Sequence, residues 1–183
     1  MPKTSFLLLI LVAVACTNRS TSSEQDEMRH WNNVLQQINA LLLENKARQT
    51  LDLAKQTLPE ILESAEKNGT TDTLIYYARK IFNACGNNYI NTKQYKDGID
   101  YMDSIGNHPL IREHCPHELL SFKAGLNQLY GNNPEAVRLA EDYLQLPVCT
   151  SANDFIRQAE IISGVYMYSG NNLPKLSKFW KKQ

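Results

Sequence analysis

Four residues near the middle of the chain, His108, His114, Cys115 and His117, are of the types that hold transition metals. A zinc site needs four such ligands in tetrahedral array. Pro116 interrupts this group and no second cluster completes a set, so the histidines read as residues of a loop and a helix start, and neither a metal nor another cofactor is expected. Cys115 has a second use open to it. Cys115 and Cys149 lie equally far before and after Asn132. If the chain turns back near Asn132, equal offsets meet and the two thiols can close the open end of the hairpin. The other reading is two unrelated thiols at helix ends. An oxidising compartment permits the disulfide, and closing a loop of that size contributes about 3–4 kcal/mol in the chain-entropy account. Cys85 lies on an apolar helical stripe and reads as a buried small hydrophobe. Acyl and phosphoryl transfer find no support: the sequence holds no nucleophile-elbow serine, no Gly-rich phosphate loop and no HExxH. Glu60, Glu63 and Glu66 repeat at helical spacing and read as a solvated face. An enzyme is therefore not the expectation.

The elements that would position such residues are helices. At 183 residues the chain fits one domain, with 43% hydrophobic residues and nineteen basic residues balancing nineteen acidic ones. That balance gives no basic face for a phosphate backbone, and nucleic acid is not an expected partner. Val and Ile never form an alternating run, so strands lack support. The stretch from His117 to Leu146 reads as two antiparallel helices. Pro116 opens the first, Leu119, Phe122, Leu126 and Leu129 form its stripe, and Gly131 stops it. Asn133 and Pro134 suit the start of the second, which Pro147 ends. The Gly131 punctuation is echoed around Gly170, roughly 40 residues on, as in helical repeat proteins.

Upstream, Trp31, Val34, Leu35, Ile38, Leu41 and Leu42 predict an amphipathic helix, with a break at Asn45-Lys46. A second helix runs from Ala47 to Asn68-Gly69, with Pro59 predicting a kink or new start inside it. Asp72 is the expected cap of a third helix carrying Leu74, Ala78, Ile81, Phe82, Cys85 and Tyr89. Tyr95, Ile99, Met102 and Ile105 mark a fourth, ended by Gly106 to Pro109. Leu110 to Cys115 reads as a loop. Ser151 or Asn153 would cap a helix with Phe155, Ile156, Ala159, Ile162, Val165 and Tyr166 inward, and Leu173 to Lys182 a last short basic helix. The expectation is about eight helices in four pairs.

Residues 1–15 carry Lys3 and then an apolar run too short to span a bilayer, the pattern of a signal peptide. Ala13-Val14-Ala15 before Cys16 resembles the lipobox of bacterial lipoproteins, with Ala13 where that family usually has Leu. The resemblance implies cleavage before Cys16, lipidation of that residue, and a stable anchor on a cell-envelope membrane, facing the periplasm. Residues 16–25 are Ser/Thr-rich and polar, a flexible tether. Residues 26–183 are left for the helical domain.

The helix pairs resemble tetratricopeptide repeats. Phe82, Cys85, Gly86, Tyr89, Gly98, Met102 and Pro109 fall near that family's packing positions. Leu120, Ala124, Gly131, Ala136 and Ala140, and then Ala159, Ser163, Tyr166 and Gly170, occupy similar places. The resemblance covers Asp72 to Lys182 and implies an all-α, antiparallel helix-pair solenoid whose first helices line a peptide-binding groove. By alignment the groove residues are Lys80, Asn83, Asn87, Glu118, Ser121, Gln128, Arg157, Glu160 and Met167; the alternative is a solvated face. Lipobox and repeats together also resemble the N-terminal sensory part of repeat-containing bacterial regulators, of which this chain would be a shortened form. The reading reached is a lipid-anchored scaffold, an adaptor or assembly factor, holding a protein or an extended peptide. A truncated sensory ectodomain is the second reading, and an enzyme with an unrecognised site the third.

Overall fold

The computed structural model describes residues 25–147 and 152–168, without the side chains of residues 152–155 and 157. These residues form eight α-helices and no strand: α1 over residues 25–43, α2 Ala47–Asn68, α3 Asp72–Asn91, α4 Tyr95–Ile105, α5 Pro109–His114, α6 Pro116–Tyr130, α7 Asn133–Gln145 and α8 Ala152–Tyr168. No helix among the described residues is long and apolar enough to cross a membrane. The leader, Cys16, Cys149, Gly170 and the segment expected as a last helix lie outside the described residues.

Three of the connections are one and the same turn. In each, a residue with left-handed φ ends a helix: Asn45 at 55°, Lys93 at 58° and Gly131 at 95°. Its N–H donates to the carbonyl three residues back, in Leu42, Ile90 and Gln128 respectively. The next N–H, of Lys46, Gln94 or Asn132, donates to the carbonyl five back, in Leu41, Tyr89 or Asn127. That is the double closure of a Schellman motif. The same second residue then starts the following helix, with φ/ψ of −88/60°, −89/56° and −86/65°. The identical geometry folds α1 on α2, α3 on α4 and α6 on α7 as antiparallel pairs.

The pairs pack in sequence. α3 meets both helices of the first pair, α6 meets both helices of the second, and α8 meets both helices of the third. One apolar cluster runs from Trp31, Val34 and Ile38 of α1 through Leu58, Ile61, Phe82 and Tyr89 to Phe122 and Leu126 of α6. A second joins Ala124 to Ala136, Leu139, Ala140 and Tyr143 of α7 and to Ala159, Ile162, Val165 and Tyr166 of α8. Two glycines allow the close approach. A Cβ on Gly86 would lie 2.4 Å from the Phe122 ring, and one on Gly98 would lie 3.0 Å from Tyr89.

Several local expectations shift. Leu110 to Cys115 is mostly helix, as α5: Pro109 sits in its first turn, His108 Nδ1 accepts from the Leu110 N–H at 3.2 Å, and Leu110 and Ile111 are buried. Thr71, one residue before Asp72, caps α3 by accepting from Leu74 N–H. Asn132, one residue before Asn133, is the N-cap position of α7. α2 runs through Pro59, which faces solvent while Leu58, Ile61 and Leu62 hold both sides of the helix in the core. The helix pairs among the described residues are three, with α5 inserted between the second and third and α8 following.

Candidate functional site

A cleft of about 190 Å³ lies between α1 and α3, the first helices of the first two pairs. α1 contributes Leu35, Ile38, Asn39 and Leu42; α3 contributes Lys80, Asn83, Ala84, Asn87, Asn88 and Asn91. The helical repeat explains the alignment: 83, 87 and 91 step four residues at a time up one face of α3, and 35, 38, 39 and 42 follow the i, i+3, i+4, i+7 pattern of one face of α1. The lining mixes aliphatic side chains with carboxamides. Lys80 is the single charged residue of the lining among the described residues, and its Nζ lies 5.7 Å from the centre of the exposed Tyr76 ring.

The amides of the cleft are committed in a definite sense. Asn87 Nδ2 donates to the Asn83 carbonyl at 2.5 Å, and Asn88 Nδ2 donates to the Ala84 carbonyl at 2.8 Å. Each side chain spends one of its two N–H groups within its own helix. Asn88 is completely buried, and its Oδ1 has no hydrogen-bond partner among the described residues.

Lys80, Asn83 and Asn87, expected in a groove, are thus brought together. Glu118 and Ser121 are not with them. Both are buried at the α3–α6 contact, where Arg79 Nε lies 3.2 Å from Glu118 Oε1, Arg79 Nη2 reaches the His114 carbonyl, and Ser121 Oγ donates to the Glu118 carbonyl. Closure of α3 on α6 through Gly86 and Phe122 rotates these side chains inward. Gln128 is half-buried on α6, and Glu160 and Met167 are exposed on α8; the Arg157 side chain lies outside those described. Sequence reasoning missed Asn88, Asn91 and Asn39. The one signal that could have found them was the run of asparagines at helical spacing.

The metal-type residues disperse. His108 Nε2 lies 3.2 Å from Glu66 Oε1, and the His117 Nε2–H donates to the Pro147 carbonyl at 2.6 Å. Cys115 is buried in the first core cluster. The His117–Pro147 bond ties the start of α6 to the end of α7, two residues inside Cys115 and Cys149; Cys149 itself lies outside the described residues. Cys85 is buried with its Sγ 3.8 Å from the Tyr101 hydroxyl, and burial pushes its thiol from 9.0 up to about 12, so it is held as an inert thiol. No family model, curated protein or solved structure matches this chain.

Proposed function

We propose that this protein is a tetratricopeptide-like repeat scaffold, anchored by lipid at Cys16 to a cell-envelope membrane, that holds an extended segment of a partner protein along the first helices of its pairs. The observation that carries the reading is the cleft: Lys80, Asn83 and Asn87 of α3 meet the apolar edge of α1 there. Carboxamides beside aliphatic side chains suit a polypeptide backbone, which brings both N–H and C=O groups that need partners. The threefold Schellman turn and the pair-on-pair packing support the repeat architecture, and Gly86 and Gly98 support it by falling at close helix contacts.

Site-specific photocrosslinking in cells tests the partner. A photoreactive residue at Asn39, on the cleft, should give a discrete protein adduct; the same residue at Arg138, on the exposed side of α7, should not. No adduct from either, or the same adduct from both, overturns the reading. The anchor is tested by Cys16→Ser, which should move the protein out of the membrane fraction. A variant that stays there through a carbonate wash overturns lipidation at Cys16.

A further inference from the structure

We infer that the open face of α8 is a self-association surface, on which a second copy of this chain docks through its own α8 about a two-fold axis; this goes beyond the scaffold reading and makes no use of the α1–α3 cleft. The chain itself shows how its helices are joined. Gly86, Gly125 and Gly164 follow one another at an interval of 39 residues, on α3, α6 and α8. The first is a notch filled by the Phe122 ring of α6. The second is filled by Ile161 of α8, whose Cγ2 would stand 2.8 Å from a Cβ at Gly125. The third receives no described side chain: a Cβ on Gly164 would meet no described atom within 4 Å. The surface around it is apolar. Ile156 and Met167 are 56% and 55% exposed, and with Glu160 and Gly164 they follow an i, i+4, i+8, i+11 spacing that puts all four on one face of α8.

The occupant follows from what a second copy can offer. Both filled notches take a bulky apolar side chain from the next first helix. Phe122 stands nine residues before the turn residue Gly131; nine before Asn45, the turn residue that ends α1, stands the exposed Gln36. Head-to-tail stacking of copies would therefore press a carboxamide into the notch at the cost of its hydration. Ile156 of a second α8 brings an isoleucine instead, the residue type that fills Gly125. When two α8 helices cross antiparallel about Glu160, Ile156 of each copy lies over Gly164 of the other, because both stand four residues from the axis. The missing Cβ lets the two helices approach closely. Such a contact is self-complementary and closed, so it stops at a dimer. Its adverse part is the meeting of two Glu160 carboxylates across the axis.

A residue on a two-fold axis meets its own copy, which gives a direct test. Full-length Glu160→Cys, oxidised with copper–phenanthroline, should form a disulfide-linked species of twice the chain mass. The wild type and Arg138→Cys, on the exposed side of α7, should not. Ile156→Glu and Gly164→Leu, each added to Glu160→Cys, should reduce the linked species about tenfold or more. Ile156 is exposed and Gly164 meets no described atom, so neither change disturbs the packing of the monomer. Glu160→Gln should lower the protein concentration at which half the chains are dimers in sedimentation, because it removes the like charges. A Glu160→Cys thiol that stays monomeric and reacts at once with a maleimide marks an open face without a partner. One that neither links nor reacts is covered by the chain's own residues 169–183, and one linked to a different protein has a foreign partner. Each of these overturns the dimer. A linked species that survives the Ile156 and Gly164 changes, or a dimer that Glu160→Gln leaves no tighter, overturns the placement of the axis at Glu160.

Discussion

At Gly86 a single hydrogen atom sets how closely α3 approaches α6. The Cβ of any other residue would sit 2.4–2.6 Å from three atoms of the Phe122 ring, which is itself pinned edge-on against Phe82. Gly86→Ala should therefore cost about 2–3 kcal/mol by overpacking, seen as a lower urea midpoint. Gly164 is the control. It lies inside α8, where an added methyl would meet no described atom within 4 Å, so Gly164→Ala should stabilise by about 0.5–1 kcal/mol through helix propensity alone. If both substitutions act alike, close packing is not what fixes Gly86. Cys85 makes the second residue-scale case. Its proton is held up to about 12 against an ordinary 9.0 because burial penalises the thiolate. A pKa raised on folding contributes stability that is complete below pH 9 and is lost as pH climbs towards 12. Over that window the wild type should lose stability faster than Cys85→Ala, by about 1.4 kcal/mol per pH unit. Chemical denaturation of the two proteins at stepped pH reads the difference, and parallel curves would overturn the assignment.

At the scale of elements, the three Schellman turns share a backbone but not a residue. Gly131 adopts positive φ without strain, Asn45 tolerates it, and Lys93 bears the full steric cost of a Cβ. The order of effects follows. Lys93→Gly should stabilise by about 1 kcal/mol, Asn45→Gly by less, and Gly131→Ala should destabilise by about 1 kcal/mol, all by thermal unfolding. A Lys93→Gly variant weaker than wild type would overturn the ranking. The same turns show what a sequence can carry. Pro116 and Gly131 fix α6 because their backbone preferences are local, and the apolar stripes placed seven of the eight helices for the same reason. Asn45 marks a break in the sequence but not the turn it makes, and at Asn45 and Lys93 alike αL is imposed by the packing of the helices on either side. α5 escaped because six residues are too few to show a period. In the site, Lys80, Asn83 and Asn87, placed in a groove by the resemblance to the repeat family, do lie together on one face of α3, whereas the burial of Glu118 and Ser121 depends on how α6 packs against Arg79 and Gly86. The burial of Asn88 was illegible for a similar reason: it depends on how the neighbouring helices pack against α3.

Across the whole molecule, α6 is the joint. Phe122 and Leu126 belong to the core shared with α1–α5, while Ala124 belongs to the core shared with α7 and α8. Buried residues occur all round this helix, including Glu118, Ser121, Gly125 and Asn127, as expected of a helix covered on every side. Among the described residues the main contacts otherwise run between neighbouring pairs, and a chain of nearest-neighbour contacts loses stability locally before it loses it globally. Leu139 lies in the second cluster and is 2% exposed. Leu139→Ala should cost about 2–4 kcal/mol, and the loss should be confined. Amides of α7 and α8 should exchange faster in native-state hydrogen exchange, those of α2 and α3 should keep their protection, and α6 should lie between. The cleft between α1 and α3 would then survive damage at the far end, as a binding surface built on a stack of pairs should. If protection falls equally from α2 to α8, the two cores unfold as one unit, and the molecule is a single cooperative bundle whose pairs have no independent stability.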